Sequence, residues 1–457
     1  MENEEKKVSL VKTILFTICS ILVLDSLAPA PAYFGVQSIT MWIILAVVFF
    51  LPYGLLNSEL GSTYPDDGGI VSWTSRAFGD HLAVHVGWLY WVNVALWMPA
   101  VFVTFAYWLS YAFFPEASPI VLGIIAVAMC WVICYIGIRG IELSVTVTAI
   151  ASIAKMAVLV IFGILGIVYC VTNGPASDFS LDSFKITSIS DMSSGISVIV
   201  YNLLGFELIG SIGSKIKDPG KTIPKMTVLA GIVITALYVF GTFGILAALA
   251  EVDNVDGFYL ALVELCSVFG PAQTVVADIL VVISCLTLVS NMISWTMGAN
   301  EALQGAELDQ RSKLLGHRSK WGTSDNLYII MGVVSTLILV LNFALGSEDT
   351  NAMFWDILSF SFVIFMLPYL GMFAAAIKLR YSDKETERVY KVPGGNVGMW
   401  ICGILCLFCV AISIYYLFAD DLAGGNMFAF WVKVIGTILC FVTGEMLYRG
   451  GNKKLAD

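Results

Sequence analysis

The stretch VLDSLAPAPAYFG, residues 23–35, decides the fold because it places helix-breaking residues in the middle of a long apolar run. A proline has no backbone N–H, and its ring clashes with the preceding helical turn, so Pro29 and Pro31 predict an interrupted helix. Asp25 and Ser26 precede the prolines and add polar side chains. The sequence therefore predicts non-helical backbone inside this run.

A second interruption is predicted in VYNLLGFELIG, residues 200–210, where Asn202, Gly205 and Glu207 stand in another apolar run. Non-helical backbone at membrane depth persists only where it is buried in protein or lines a cavity, and its free N–H and C=O groups suit carboxylate and ammonium groups. For either run alone, a proline kink or a glycine packing contact is an equally good interpretation. The two runs are the first and sixth predicted spans, equivalent positions in two five-span halves, and this pairing favours a binding site.

Apolar runs of membrane-spanning length recur along the whole chain, which has 457 residues, 58% hydrophobic and 13% charged. A helix of about 20 apolar residues crosses a hydrocarbon core of about 30 Å. Because the runs are continuously apolar, transmembrane strands are excluded. The sequence predicts an all-α polytopic membrane protein in a lipid bilayer. The predicted spans are 11–36, 38–61, 84–114, 118–138, 144–171, 190–213, 223–250, 271–304, 327–345, 353–378, 397–419 and 426–448.

The charges between these spans separate by sign, although the net charge is −10. Lysine and arginine collect in the terminal segments and in alternate loops, while the other loops carry acids and one base, Lys185. By the positive-inside rule, both termini are predicted to be cytoplasmic, which requires an even number of spans and is satisfied by twelve. We therefore expect a multi-pass protein of the cell membrane.

Several functional classes are excluded. The longest segments between spans, 62–83, 172–189 and 305–326, are too short to fold as separate domains, which argues against a receptor or enzyme with a soluble head. The sequence has no phosphate-binding loop, HExxH motif or nucleophile elbow, and no basic stripe for nucleic acid. Neither an enzyme, a cofactor nor a nucleic-acid partner is predicted, and the sequence does not indicate a protein partner.

His81 and His85 stand at i and i+4 next to Asp80, at the start of the third predicted span. That spacing can hold a metal ion, but a lone carboxylate is the only further ligand nearby in the sequence. A histidine pair at the membrane edge is the preferred interpretation, and no metal site is predicted.

Four motifs give the sequence a resemblance to a known family: LPYGLLNSELGSTYPDDGGIVSWTSRAFG at 51–79, GFELIGSIGSKIKDPGKTIPK at 205–225, ISWTMGANEALQGAEL at 293–308 and YKVPGG at 390–395. With the two interruptions, they resemble the amino acid–polyamine–organocation superfamily, and within it the glutamate/GABA antiporter branch. The resemblance implies two inverted five-span repeats followed by two further spans, with alternating access around a site at the bilayer midplane.

The implied organisation divides the chain into five parts. A cytoplasmic tail at 1–10 precedes a transport core at 11–378, whose repeats cover about 11–171 and 190–378. Two accessory spans occupy 397–448, and a second cytoplasmic tail occupies 449–457.

The first span departs from the family pattern. Many members carry a glycine–serine–glycine segment whose backbone receives the substrate carboxylate, whereas this chain has Asp25-Ser26-Leu27-Ala28-Pro29. An acid there repels a carboxylate unless it is protonated or paired. Asp25 is thus a candidate counter-ion for a cationic amine, a partner for Lys155, or a cap for the broken helix.

Lys155 lies inside the fifth predicted span, where burying an ammonium costs at least about 2.5 kcal/mol, so it should face the protein and have a partner. A snorkelling lysine is the alternative interpretation. In the resembling family, many sodium-independent members carry a lysine here, in the position that sodium holds in sodium-coupled members. Glu207 is either a carboxyl that takes up a proton during transport or a satisfied acid that pins the sixth span.

Aromatic and amide side chains complete the predicted site. The resemblance assigns Tyr201 and Trp295 to the cavity, and an aromatic face attracts a cation by about 0.5–2 kcal/mol. Asn93 and Ser359 are candidate polar contacts. The predicted substrate-binding residues are Asp25, Ser26, Leu27, Ala28, Pro29, Ala30, Asn93, Tyr201, Asn202, Leu203, Gly205, Trp295 and Ser359, and the predicted coupling residues are Lys155 and Glu207.

The sequence thus predicts a secondary transporter of small amino acids or their decarboxylated amines, working by sodium-independent exchange. A proton-coupled symporter is the alternative within the same class. A channel or a non-transporting membrane scaffold is the alternative from another class.

Overall fold

The computed structural model describes residues 7–186, 193–345 and 348–455, and within these ranges it is helical and has no strand. The helices are α1 (Leu10–Ile21), α2 (Pro29–Phe34), α3 (Gln37–Leu45), α4 (Leu51–Thr63), α5 (Ile70–Phe78), α6 (Asp80–Phe113), α7 (Pro119–Arg139), α8 (Ile141–Thr172), α9 (Ser193–Asn202), α10 (Pro219–Ala248), α11 (Gly257–Leu265), α12 (Gln273–Gln304), α13 (Leu308–Arg311), α14 (Asp325–Leu345), α15 (Glu348–Ser382), α16 (Gly395–Ala423) and α17 (Met427–Leu455).

Ten helical segments in the described ranges are long and apolar enough to cross a membrane. They coincide with the second to fifth and the seventh to twelfth predicted spans, so the prediction of an all-α polytopic membrane protein is confirmed. Two shorter apolar helices, Leu10–Ile21 and Gly195–Ser211, lie at the first and sixth predicted spans. Residues 190–192, with which the sixth span was predicted to begin, lie outside the described residues.

The first predicted span is interrupted, but not where the prolines stand. Helix α1 ends at Ile21, residues 22–28 are non-helical, and α2 begins at Pro29. Pro29 and Pro31 therefore lie in the first turn of α2, where a missing N–H leaves no helical hydrogen bond unmade. The prediction that the prolines themselves interrupt the helix is wrong in position: they start the second half-helix, and the gap precedes them.

The sixth predicted span is interrupted at the glycine. Helix α9 ends at Asn202, and a 3₁₀ segment runs over Phe206–Ser211. Between them Gly205 has φ of +131°, which L side chains rarely adopt. A Cβ atom at this position would lie 2.9 Å from Ile21 Cγ1, so the missing side chain also lets this gap approach the end of α1.

Two local features were not foreseen in the sequence. A π-helical turn at Ala46–Phe50 joins α3 to α4, and Pro52, which cannot donate to a regular helical ladder, follows it. Residues 62–83 and 251–270, predicted as connecting segments, contain α5 and α11. Both helices are nine residues long, too short to cross a membrane, so they change the course of the connections without adding spans.

The interrupted helices lie at the centre of the bundle. Helix α6 packs against α12 and α15, and α8 packs against α10 and α12. Helix α1 contacts α8, α10 and α12, so the end of α1 is surrounded by protein. Leu22, Leu24 and Leu27, inside the gap, have no measurable exposure.

The first described residues are tied to the segment that follows the sixth span. The backbone N–H of Val8 donates to the Lys215 carbonyl at 2.8 Å, and that of Lys217 donates to the Val8 carbonyl at 2.9 Å. On the same face, the Asp67 carboxylate accepts from the Ser214 backbone N–H at 3.0 Å. We call this side of the bundle the N-terminal face, defined by Val8, Asp67 and Lys215.

A buried cluster of three charged side chains lies near the motif YKVPGG. The Arg380 guanidinium lies 2.5 Å from both Glu59 carboxylate oxygens, and Arg388 Nε lies 3.2 Å from one of them. The Val392 backbone N–H also donates to Glu59, at 2.7 Å. All three charged side chains are at most 8% exposed. The cluster fastens the end of α4 to the end of α15 and to the loop before α16.

Glu59→Gln should destabilise the protein because it leaves two buried arginines without their counter-charge. Removing one partner of a buried ion pair costs about 3–5 kcal/mol of unfolding free energy. We expect a lower midpoint in thermal unfolding of the detergent-solubilised protein. Glu385→Gln, an exposed change in the same loop, is the control and should leave the midpoint unchanged. Equal midpoints for the two variants would contradict a role of the cluster in stability.

Candidate substrate site between the two interrupted helices

The carbonyl groups at the end of α1 have no helical partners, and side chains from other helices satisfy them. The Lys155 ammonium, fully buried on α8, donates to the carbonyls of Cys19 at 2.9 Å and Leu22 at 2.5 Å. A helix C-terminus carries partial negative charge, so a cation is favourable there. The expectation that Lys155 faces the protein and has a partner therefore agrees with this geometry, in which the partner is backbone.

Three further side chains also donate hydrogen bonds to carbonyl groups at the end of α1. Asn291 Nδ2 donates to the Cys19 and Ser20 carbonyls at 2.7 and 3.1 Å, and Trp295 Nε1 donates to Ser20 at 2.8 Å. The Tyr238 hydroxyl donates to the Ile21 carbonyl at 2.6 Å. Together with Lys155, these residues of α8, α10 and α12 supply donors to every carbonyl from Cys19 to Leu22.

The two gaps are also joined to each other. Asn202 Nδ2, at the end of α9, donates to the Ser26 carbonyl at 2.8 Å. The Tyr238 hydroxyl lies 3.1 Å from the Asn202 carbonyl, so it contacts both interrupted helices. The non-helical backbone of one segment is thus satisfied partly by the other.

A small cavity lies beside these gaps. Four aromatic rings surround it, with Trp97 and Trp295 5.9 Å apart and Phe365 5.3 Å from Trp295. The space fits little more than one water molecule in this conformation, so a bound solute requires the aromatic walls to move. The cavity is lined by Ser20, Ile21, Val23, Asn93, Trp97, Tyr201, Asn202, Leu204, Trp295 and Phe365.

Four of the residues predicted for the site line this cavity: Asn93, Tyr201, Asn202 and Trp295. Asn93 is 1% exposed, and neither polar atom of its amide has a hydrogen-bond partner among the described residues. A buried amide without partners is costly, and a polar group that entered the cavity and paired with Asn93 would remove that cost.

The other predicted residues lie away from the cavity lining. Three of them are partly exposed in or next to the first gap: Asp25, Ser26 and Pro29. Four are buried in the protein: Leu27, Ala28, Ala30 and Leu203. Gly205 packs under Trp295, and Ser359 is partly exposed on α15. The first interrupted span contributes Ser20, Ile21 and Val23 to the cavity lining. The sequence did not indicate these three residues, because the predicted gap lay at the prolines. Trp97 and Phe365 were missed because nothing distinguishes them from the chain's other aromatic residues.

Asp25 makes no direct ion pair with Lys155 among the described residues, although the Lys155 charge acts on its carboxylate. The backbone N–H groups of Asp25 and Ser26 also interact with this carboxylate. The Oδ1 atom has no hydrogen-bond partner among the described residues. Asp25 also interacts electrostatically with Tyr201, one of the cavity walls.

Glu207 is enclosed by three tyrosines that the sequence did not indicate. Its carboxylate accepts hydrogen bonds from the hydroxyls of Tyr90 at 2.6 Å, Tyr369 at 2.7 Å and Tyr53. The Tyr53 hydroxyl in turn accepts from the backbone N–H groups of Gly205 at 3.0 Å and Phe206 at 2.7 Å. These contacts join the second gap to α4, α6 and α15, and Glu207 lies on the N-terminal side of the cavity.

The sequence profile of the amino acid permease family matches residues 8–442. The chain belongs to this family. The permease is 32% identical to the probable agmatine/putrescine antiporter AguD of Lactococcus lactis over 98% of this chain and 96% of the relative. It is 24% identical to the aspartate/glutamate permease AcaP of the same species, over 89% of this chain and 86% of the relative. A solved manganese transporter of Eremococcus coleocola has the same fold, with a TM-score of 0.59 at 12% identity, covering 98% of the permease and 94% of that chain.

These matches confirm the predicted superfamily and establish a multi-pass membrane transporter of amino acids or amines. An enzyme with a membrane-embedded active site is thereby excluded by family. The fold match carries no information about the solute, because its sequence identity is low.

Lys155→Met should loosen the first gap because the Leu22 carbonyl loses its donor, whereas the Cys19 carbonyl keeps Asn291. An unsatisfied buried carbonyl costs about 1–3 kcal/mol. We expect faster amide hydrogen exchange in residues 20–28, measured by mass spectrometry, and a lower unfolding midpoint. Lys185→Met, which changes an exposed lysine, is the control. Unchanged exchange in residues 20–28 would show that Lys155 does not hold this backbone.

Proposed function

We propose that the permease is an antiporter that exchanges a small amino acid for a decarboxylated amine, with the cavity beside the two gaps as its binding site. The observation that carries the proposal is the Asn93 amide, a buried polar group that lines the aromatic cavity and has no hydrogen-bond partner among the described residues. Asp25 Oδ1, outside the lining, is a second buried polar atom without such a partner. Unpaired buried polar groups are costly, and a bound solute that pairs with them recovers that cost.

The chemistry of the walls favours a cationic group in at least one of the two solutes. Trp97, Tyr201 and Trp295 present aromatic faces, which attract an ammonium by about 0.5–2 kcal/mol once it is desolvated. Asp25, which interacts electrostatically with Tyr201, supplies a negative charge. Of its three interpretations we therefore favour the counter-ion, and the name of the agmatine/putrescine relative agrees with this choice.

Exchange is proposed to be independent of sodium. The Lys155 ammonium lies among the carbonyls at the end of α1 and gives this position a fixed positive charge. A sodium ion at the same place would have to share those carbonyls with a cation already present. Transport of the two solutes is then coupled because the binding site changes the side of the membrane to which it opens only when a solute is bound.

The proposed movement is alternating access with two closing layers. Glu207 and its three tyrosines would close the site toward the N-terminal face. Tyr201 and Phe365, whose ring centroids are 5.1 Å apart, would close it toward the opposite face, from which α9 enters. The small volume of the cavity supports an occluded conformation, in which both layers are closed.

The proposed topology completes this scheme. Counting the interrupted helices α1–α2 and α9 with its 3₁₀ continuation as crossings adds two to the ten long segments, which gives the twelve spans expected from the sequence. We propose the same division as above: tails at 1–10 and 449–457 on the cytoplasmic side, two inverted repeats within 11–378, and two accessory spans in 397–448.

Exchange predicts that transport depends on the solute on the far side of the membrane. In proteoliposomes, uptake of a labelled amine such as putrescine should rise at least about tenfold when the vesicles contain the partner amino acid or unlabelled amine, and should not change when choline replaces sodium. Uptake that is indifferent to the internal solute but is driven by a proton gradient would instead support the symporter alternative. Flux that does not saturate would support a channel.

Asp25→Asn should weaken amine binding more than amino acid binding because it removes the charge that pairs with the ammonium. Loss of a buried charge partner costs about 2 kcal/mol or more, about 30-fold in affinity. Thermal-shift titrations with putrescine and with zwitterionic amino acids measure both affinities. Asp182→Asn, on an exposed loop where the side chain is 86% exposed, is the matched control. Equal losses for both solutes would assign Asp25 a structural role.

A further inference from the structure

A second cluster of chemically active side chains lies outside the cavity, where the start of α6 meets the end of α17. His81 Nε2 lies 2.7 Å from Glu445 Oε2, and His85 Nε2 lies 3.7 Å from the same oxygen. The ligand atoms of all three residues lie within 4.8 Å of one another. In the sequence, Asp80 is the only further candidate ligand near His81 and His85, but its carboxylate accepts a hydrogen bond from Ser75 at 2.7 Å. Glu445 is 364 residues away in the chain, so only the fold reveals it.

The hydrogen bonds of His85 leave its Nε2 free to bind a metal. His85 Nδ1 lies 2.9 Å from the His81 backbone carbonyl, which can only accept, so Nδ1 carries the hydrogen. In the neutral ring the lone pair is then on Nε2, the atom that faces Glu445. A backbone carbonyl that fixes the tautomer of a histidine is a common outer-shell feature of metal sites.

Residues of α17 pack around the three side chains. Gly444 faces His85, and a Cβ atom there would lie 3.1 Å from the imidazole Cδ2. The His81 ring packs 4.7 Å from the Tyr448 ring, and Arg449 Nε holds the other Glu445 oxygen at 2.6 Å. Glu445 Oε2 is therefore directed at the two histidines. The His85 side chain is 9% exposed and the His81 side chain 58%, so one side of the cluster is shielded and the other is open to water.

We propose that His81, His85 and Glu445 bind a divalent transition-metal ion of the Zn²⁺ class, with water as the fourth ligand. Two imidazole nitrogens and a carboxylate oxygen are ligands that Zn²⁺ takes at about 2.0–2.2 Å, which spaces tetrahedral ligand atoms by about 3.4 Å. The present separations from Glu445 Oε2, 2.7 and 3.7 Å, bracket that value, and all three ligand atoms lie within 4.8 Å of one another. Because Arg449 is 75% exposed, solvent screens its charge.

The bound ion would fasten α17 to α6, the helix that also carries Tyr90, Asn93 and Trp97. Between these two helices the side-chain hydrogen bond from Trp88 Nε1 to Thr443 Oγ1, 2.9 Å long, is the neighbouring contact. A metal link at this edge would add to that contact and restrain the start of α6. The site does not depend on which solute the permease carries.

The test uses the full-length permease after removal of any affinity tag and dialysis against a chelator. The chain has three histidines, so a metal site with two of them is easily isolated from background. We expect isothermal titration to give one Zn²⁺ per chain, and Co²⁺ to produce the visible bands of tetrahedral coordination by nitrogen and oxygen. His85→Ala and Glu445→Gln should each weaken binding at least about tenfold. Both variants are checked for folding by their elution on gel filtration and by solute-dependent thermal shifts.

His317→Ala is the matched control, since His317 also pairs with a carboxylate, Asp325, at 2.6 Å but has no second histidine beside it. It should leave Zn²⁺ binding unchanged. Three results would overturn the proposal: no stoichiometric binding by the wild-type chain, equal losses in His317→Ala and His85→Ala, or a sulfur-to-cobalt band in the near ultraviolet, which would assign the metal to cysteines.

Discussion

The whole arrangement depends on one constraint: carbonyl groups released at the end of α1, deep in an apolar bundle, must still find donors. An unsatisfied buried carbonyl costs about 1–3 kcal/mol, and no bulk water is present at that depth to supply a substitute. Lys155, Asn291, Trp295 and Tyr238 supply those donors from three different helices. The helix can therefore end at Ile21 only because α8, α10 and α12 stand around it. The assembled bundle therefore determines where α1 ends.

Buried charges in the permease are compensated in two different ways. Lys155 is held by neutral carbonyls, and Glu207 by neutral hydroxyls, so neither depends on a direct ion pair. At the edge of the bundle, in contrast, Glu59 is paired directly with two arginines. Direct pairs suit contacts that stay fixed. Charges held by neutral groups can change neighbours with a smaller electrostatic penalty, which suits the region where the proposed transport cycle moves helices.

The sequence predicted that two helices would be interrupted, and the reason is local: Pro29 and Gly205 cannot continue a regular helix in their positions. It did not predict where the first gap lies, because the end of α1 is set by donors such as Lys155, 136 residues from Cys19. For the same reason Asp25 was a plausible partner for Lys155, although the ammonium contacts backbone. Asn93, Tyr201, Asn202 and Trp295 line the cavity because their helices face the gaps. The tyrosines around Glu207 carry no distinguishing signal in a chain with 18 tyrosines, and only packing brings them together.

The pairing of Val8 with the segment at Lys215–Lys217 has a mechanical consequence. It consists of two backbone hydrogen bonds, and each is worth only about 0.5–1.5 kcal/mol net once water can replace the partner. Two bonds of this strength hold the two segments together, and thermal motion is enough to break them. These bonds join the residue before α1 to the segment after the second gap, so they couple the two interrupted spans on the N-terminal face.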